Sequence, residues 1–162
     1  KAFADIYRNR KDVKLVITGP DDGYLSTLKK MVAELGIGEG VVFTGPLYGL
    51  DKLQAYTDAD VYVLPSSYEI FGITVLEAWA CRKPVIVTDR CGLADVIRER
   101  AGLVVTYEKE ALRDAITKLL ENESLRLQFG QQGRKLVEEK YNWANVASQV
   151  ESIYARMITK RV

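Results

Sequence analysis

The stretch Pro65-Ser66-Ser67-Tyr68-Glu69-Ile70-Phe71-Gly72-Ile73-Thr74-Val75-Leu76-Glu77 decides how this chain folds. It follows the apolar run Val61-Tyr62-Val63-Leu64, which reads as a buried strand, and leads into an apolar helix over about 73–81. A strand, a glycine-bearing turn and a helix, in that order, place the helix N-terminus at the carboxyl edge of a sheet. In open α/β proteins that edge is where ligands bind. The first N–H groups of such a helix have no internal partner, and the helix dipole adds positive character there. Phe71, Gly72 and Ile73 are therefore the expected backbone donors to a phosphate, with Gly72 allowing close approach.

Two carboxylates frame the turn. Glu69 lies on the loop, and Glu77 sits in a helix whose other residues are nearly all apolar. An isolated charge in such surroundings is costly, so Glu77 should be neutralised, paired or bound to a polar ligand. A carboxylate presents two acceptor oxygens, which suits two neighbouring sugar hydroxyls. The competing reading is structural: Glu69 complements the helix dipole, and Glu77 pairs with an Arg or Lys. Spacing alone leaves both open.

The residues around the pair carry a resemblance. Pro65-Ser66, Glu69, Phe71-Gly72 and Glu77-Ala78, followed by Pro84-Val85-Ile86-Val87-Thr88, are similar to the retaining GT-B glycosyltransferases of family 4, also called group 1. Glu69 to Glu77 matches that family's E-x7-E motif. Ala59-Asp60-Val61 before it, Ala94-Asp95-Val96-Ile97 and Ala101-Gly102-Leu103-Val104-Val105 after it, and the late Tyr141-Asn142-Trp143 extend the match along essentially the whole chain. It covers only the second of the family's two domains.

That resemblance implies one half of a GT-B fold, with residues 1–162 as a single nucleotide-sugar-binding domain. It implies that Glu69 is the catalytic carboxylate, holding hydroxyls of the transferred sugar, and that Glu77 holds the ribose. Gly19 and Leu47 follow as weaker candidates near the donor and its base. Two departures stand out: Cys91 replaces the first residue of a usual Gly-Gly pair, and Arg82 replaces a glycine before Lys83-Pro84.

Composition sets the bounds. At 162 residues the chain suits one domain with one sizeable core. Its 23 basic and 22 acidic side chains leave a net charge of +1, which argues against a nucleic-acid binder with its strongly basic face. No apolar run approaches the ~18 residues of a membrane-spanning helix. Cys81 and Cys91 make no disulfide framework and no metal-type spacing, which points to a reduced, cytoplasmic setting. Peripheral contact with the inner face of a membrane, through another domain, stays compatible with this. Histidine is absent, which excludes Ser-His-Asp and Cys-His catalysis within the chain.

Taken in order, residues 1–10 read as a helix entered midway, so an N-terminal truncation is expected, with the acceptor domain absent. By the resemblance, the missing strand and loop carry an Arg and a Lys for the diphosphate. The run 13–18 suits a buried parallel strand, and Gly19-Pro20-Asp21-Asp22-Gly23 is turn chemistry at its carboxyl end. A helix with an apolar face over 24–35 ends at Gly36 as its C′ glycine. A strand at 41–44 precedes Gly45-Pro46-Leu47 and an amphipathic helix over about 50–57. Strands at 85–88 and 102–106 flank a short helix over 93–98. Three amphipathic helices follow, over 108–121, 124–141 and 143–158, the second capped near Asn122. This alternation predicts a Rossmann-like open parallel sheet with helices on both faces.

Three functional readings stand. The first is the donor-binding half of a retaining glycosyltransferase, moving a sugar from a nucleotide diphosphate to an acceptor hydroxyl. Its substrate is a UDP or GDP sugar, with no metal and no cofactor required. The second keeps the scaffold but makes a sugar-nucleotide epimerase or a phosphorylase-like enzyme. The third is a non-catalytic nucleotide-binding or interaction domain. Nucleotide binding separates the third from the others, and transfer by a full-length protein separates the first from the second. This chain alone is expected to bind a nucleotide weakly and to transfer nothing.

Overall fold

The computed structural model describes residues 1–98 and 100–159. Strands β3 (Tyr62–Leu64), β4 (Val85–Thr88) and β5 (Gly102–Val105) form a parallel sheet in that order. Tyr62 stands beside Val85, and Val85 beside Gly102, so their carboxyl ends share one edge. All four residues of β4 are buried. A run of β-branched residues covered on both faces belongs at the centre of a parallel sheet.

The faces sort by alternation. Val85 and Val87 pack with Val75, Ala78 and Trp79 of α4 (Ile73–Ala80), and with Leu93 and Ile97 at α5 (Ala94–Ile97). Ile86 points the other way, onto Ala115 and Leu119 of α6 (Lys109–Glu121) and Phe129 of α7 (Glu123–Glu139). Helices therefore cover both faces of this sheet, as expected. Trp79 anchors the first face: it is fully buried, and its Nε1–H donates to the Ala101 carbonyl at 2.9 Å.

Strands β1 (Leu15–Thr18) and β2 (Val41–Gly45) pair in parallel as a second, two-stranded sheet. Here the sequence reading needs correction. The run 13–18 suits a buried parallel strand, but β1 starts at Leu15 and alternates half-buried with exposed residues. Val16 is 51% exposed and Val42 is 44% exposed. The reason is one-sided cover. The nearby core gathers Ala4, Ile6 and Tyr7 of α1 (Ala2–Asn9) with Val13, Ile37 and Val41, and with Val32 of α2 (Leu25–Glu34), while Val16 and Val42 lie outside it. Ile116 of α6 joins this cluster and the Ile86 cluster, so one helix ties the two sheets' cores together.

Helix ends follow local chemistry. Gly36 has φ +64° and passes its N–H to the Ala33 carbonyl, closing α2. Asn122 accepts the Leu125 N–H at 2.9 Å and starts α7. Arg82 is the one non-glycine residue with positive φ among the described residues, at +58° just past α4. The departure noted in the sequence thus puts an arginine in a left-handed conformation that glycine adopts freely. Such a conformation costs a non-glycine residue roughly 1–2 kcal/mol, and the Arg82 side chain is exposed. Arg82→Gly is therefore expected to raise the thermal midpoint by a few degrees, and an unchanged or lower midpoint in a melting curve contradicts this.

Candidate active site

The loop after β3 is fastened to the loop after β4. Glu69 donates its N–H to the Arg90 carbonyl at 3.1 Å, and Gly92 donates to the Glu69 carbonyl at 2.8 Å. Thr88, buried at the end of β4, adds an Oγ1–H bond to the Ser66 carbonyl at 2.6 Å. These bonds hold the Glu69 backbone in place from both sides. Cys91 fills the space below, buried, with Sγ near the position a Cβ on Gly72 would take. Burial pushes its thiol above the ordinary range. The glycine that Cys91 replaces is dispensable here, since the backbone at Cys91 does not take a positive φ. Its neighbour Gly92 is not, because a Cβ there would lie 1.9 Å from the Ile70 carbonyl oxygen.

The Glu69 side chain turns back into its own loop. Its Oε1 accepts the Phe71 N–H at 3.1 Å and the Gly72 N–H at 3.0 Å. Gly72 has φ +78°, a left-handed conformation that glycine adopts freely, just before the chain enters α4 at Ile73. Two of the three N–H groups named from the sequence thus serve Glu69 in this structure, and Ile73 opens the helix beyond them. The helix start faces solvent: Ile73 is 66% exposed, and Tyr68 and Ile70 are exposed beside it. A cleft of about 710 Å³ adjoins this loop, lined by Phe71, Tyr141, Asn145 and Val146 among others. Neither Glu69 nor Glu77 lines it.

Glu77 lies one turn into α4 and is half-buried, less enclosed than the apolar helix sequence implied. It is paired on both oxygens by α3 (Gly49–Asp58): Lys52 Nζ donates to Oε1 at 2.7 Å and the Tyr56 hydroxyl to Oε2 at 2.9 Å. Burial, then the bond to Glu77, pushes the Tyr56 phenol far above its ordinary range, and burial also raises Tyr62. Tyr56 and Tyr62 meet with ring centroids 5.6 Å apart, which braces α3 against β3.

The structure brings Glu69, Phe71, Gly72, Ile73 and Glu77 to one helix start. Gly19 and Leu47 sit elsewhere, at the carboxyl ends of β1 and β2. Gly19 donates its N–H to the Gly45 carbonyl at 3.0 Å, and Leu47 is a half-buried loop residue. Sequence reasoning missed Lys52 and Tyr56. Their four-residue spacing puts them on one helix face, but nothing local says that this face meets Glu77, 25 residues from Lys52.

Comparison with known proteins identifies the family and the fold. A sequence model of the family described as glycosyl transferases group 1 matches residues 1–136. The phosphatidyl-myo-inositol mannosyltransferase of Mycobacterium leprae is 34% identical over 151 residues, covering 91% of this chain and 39% of that protein. The structure of sucrose-phosphate synthase from Thermosynechococcus elongatus superposes with a TM-score of 0.84 at 29% identity, over 98% of this chain and 42% of the other. The C-terminal domain of a group 1 glycosyl transferase from Francisella tularensis gives 0.77 at 25% identity, over 88% and 76%. The chain spans well under half the length of the curated relatives it matches. A group 1 sequence match that runs through the glutamate pair, on a fold shared with sugar-transferring enzymes, leaves one conclusion: this chain belongs to the group 1 glycosyltransferases.

Proposed function

We propose that residues 1–162 form the donor-binding half of a retaining glycosyltransferase, which takes a UDP or GDP sugar and passes the sugar to an acceptor hydroxyl held by another domain. One observation carries this reading: Glu69 and Glu77 flank an exposed helix start, on a chain of the group 1 family. The diphosphate is assigned to the α4 N-terminus from Ile73 onward, where orphan N–H groups and the dipole favour an anion. The diphosphate is also the leaving group, so stabilising its growing charge lowers the barrier to transfer. Glu69 is assigned to the sugar hydroxyls. With Oε1 held by two backbone N–H groups, its orientation is set before the donor arrives, which is what positioning an anomeric carbon requires. Glu77 is assigned to the ribose diol, and Gly19 and Leu47 to the surroundings of the base.

The structural reading also has an observation behind it: Glu69 satisfies its own loop, and Glu77 pairs with Lys52. That ion pair is weak support for stability, because the two side chains are 42% and 33% exposed and pairs of this kind contribute about 0–1 kcal/mol. Calorimetry of this chain with UDP, GDP and ADP separates the two. One of them is expected to bind at micromolar to millimolar strength. Glu77→Ala should weaken it about tenfold or more, the loss of charge-assisted hydrogen bonds, with the thermal midpoint nearly unchanged. Unaltered binding with a collapsed midpoint would make Glu77 a structural residue.

A further inference from the structure

Building on the donor-site reading, we propose that Lys52 and Tyr56 of α3 are positioning residues that set the Glu77 carboxylate for a vicinal diol. A carboxylate has two oxygens, each able to accept about two hydrogen bonds. Lys52 takes one place on Oε1 at 2.7 Å, and Tyr56 takes one on Oε2 at 2.9 Å. One acceptor site then remains on each oxygen, side by side on a carboxylate that can no longer rotate. Two adjacent hydroxyls fit that remainder, and a single hydroxyl or a phosphate does not: the first leaves an acceptor empty, the second meets like charge.

The clamp is rigid where it needs to be. Tyr56 packs its ring at a tilt against Tyr62, the first residue of β3, and Glu77 stands on α4, which packs on the same sheet. Lys52 enters from the first turns of α3, its own N–H bonded to the Tyr48 carbonyl at 3.3 Å. Two helices that follow neighbouring strands in sequence thus meet at one carboxylate. A carboxylate locked before the ligand arrives gives up less rotamer freedom on binding. Lys52 also supplies the opposite charge that makes a half-buried carboxylate tolerable when the site is empty.

The prediction concerns discrimination, and a merely structural role would not move it. Affinities of this chain for UDP and GDP are measured beside those for the 2′-deoxy, 3′-deoxy and 2′,3′-dideoxy counterparts. The native chain is expected to prefer the ribonucleotide by about tenfold or more, since each lost hydroxyl leaves one acceptor without its donor. Lys52→Met and Tyr56→Phe should each cut that preference several-fold while changing the affinity for the 2′,3′-dideoxynucleotide, which offers Glu77 no hydroxyl, less than about twofold. Lys52→Arg should restore most of it. In the Glu77→Gln background neither change should have further effect, because the group being positioned is gone.

A parallel fall in ribo- and dideoxynucleotide affinity overturns the proposal, making the two residues structural. Tighter ribonucleotide binding by Lys52→Met also overturns it, since Lys52 would then compete with the ligand. If the native chain binds no nucleotide, or Glu77→Gln keeps full discrimination, the donor-site reading fails first and this inference falls with it. Melting curves of each variant show that the comparisons are made on folded protein, and Tyr56→Phe retains the ring that packs on Tyr62.

Discussion

Trp79→Ala is expected to lower stability by about 3–5 kcal/mol, the range for emptying a buried tryptophan site. Trp79 has no exposed surface and lies in the cluster that joins α4 to the sheet at Val85 and Val87, with Val75 and Ala101 beside it. On its other side α7 comes so close that a Cβ on Gly133 would stand 2.1 Å from Trp79 Cδ1. Neither wall can collapse cheaply into the space, because one is a sheet and the other a helix held against it. The change also strips the Ala101 carbonyl of its 2.9 Å donor, leaving a buried acceptor unpaired. Natural domains hold only about 5–15 kcal/mol in reserve, so this variant should sit close to unfolding at ordinary temperature. Trp79→Phe weighs the two contributions: it loses the hydrogen bond and the five-membered ring but keeps most of the packing, and should fall well short of the alanine loss. A midpoint for Trp79→Ala within a degree or two of native would show that α4 is not anchored this way.

Gly92→Ala is the second large effect, and it acts on the site as well as on stability. The added Cβ would overlap the Ile70 carbonyl oxygen, a backbone atom that cannot rotate aside as a side chain could. Overpacking of this kind costs about 1–3 kcal/mol, and here it is relieved only by moving the loop. That loop carries the 2.8 Å bond from Gly92 to Glu69, so the movement displaces the carboxylate assigned to the sugar. The expected outcome is a midpoint lowered by several degrees, with the advantage of a sugar nucleotide over its parent diphosphate reduced. Cys91→Ala is the control: it sits one residue away in the same loop and leaves the Glu69 backbone bonds in place. If both variants behave alike, the close approach at Gly92 has no special role.

Much of this architecture is legible in the residues because period and punctuation carry it. Val85-Ile86-Val87-Thr88 fits a strand covered on both faces, and that is where β4 lies. Gly36 and Asn122 mark helix ends by chemistry that works within a few residues. What the sequence could not supply depends on partners far along the chain. Val16 and Val42 look as apolar as Val85 and Val87, but whether a strand is covered on one face or two depends on which helices land there. The glutamate pair was findable because its spacing and flanking residues match a known pattern. The Lys52 and Tyr56 clamp on Glu77 was not, since no local rule links the face of α3 to a carboxylate on α4. Glu69 shows the same limit at short range. Its place on the loop is plain, but the turn of its carboxylate onto the Phe71 and Gly72 N–H groups depends on the path of the loop backbone, which the residue pattern does not spell out.

The most direct measurement is a crystal structure of this chain grown with the nucleoside diphosphate it binds best. The diphosphate should lie at the start of α4 against the Ile73 N–H, with both ribose hydroxyls within about 3.2 Å of the Glu77 carboxylate. A nucleotide seated anywhere else, with Glu77 facing none of it and the α4 start empty, would contradict the donor-site assignment of both glutamates.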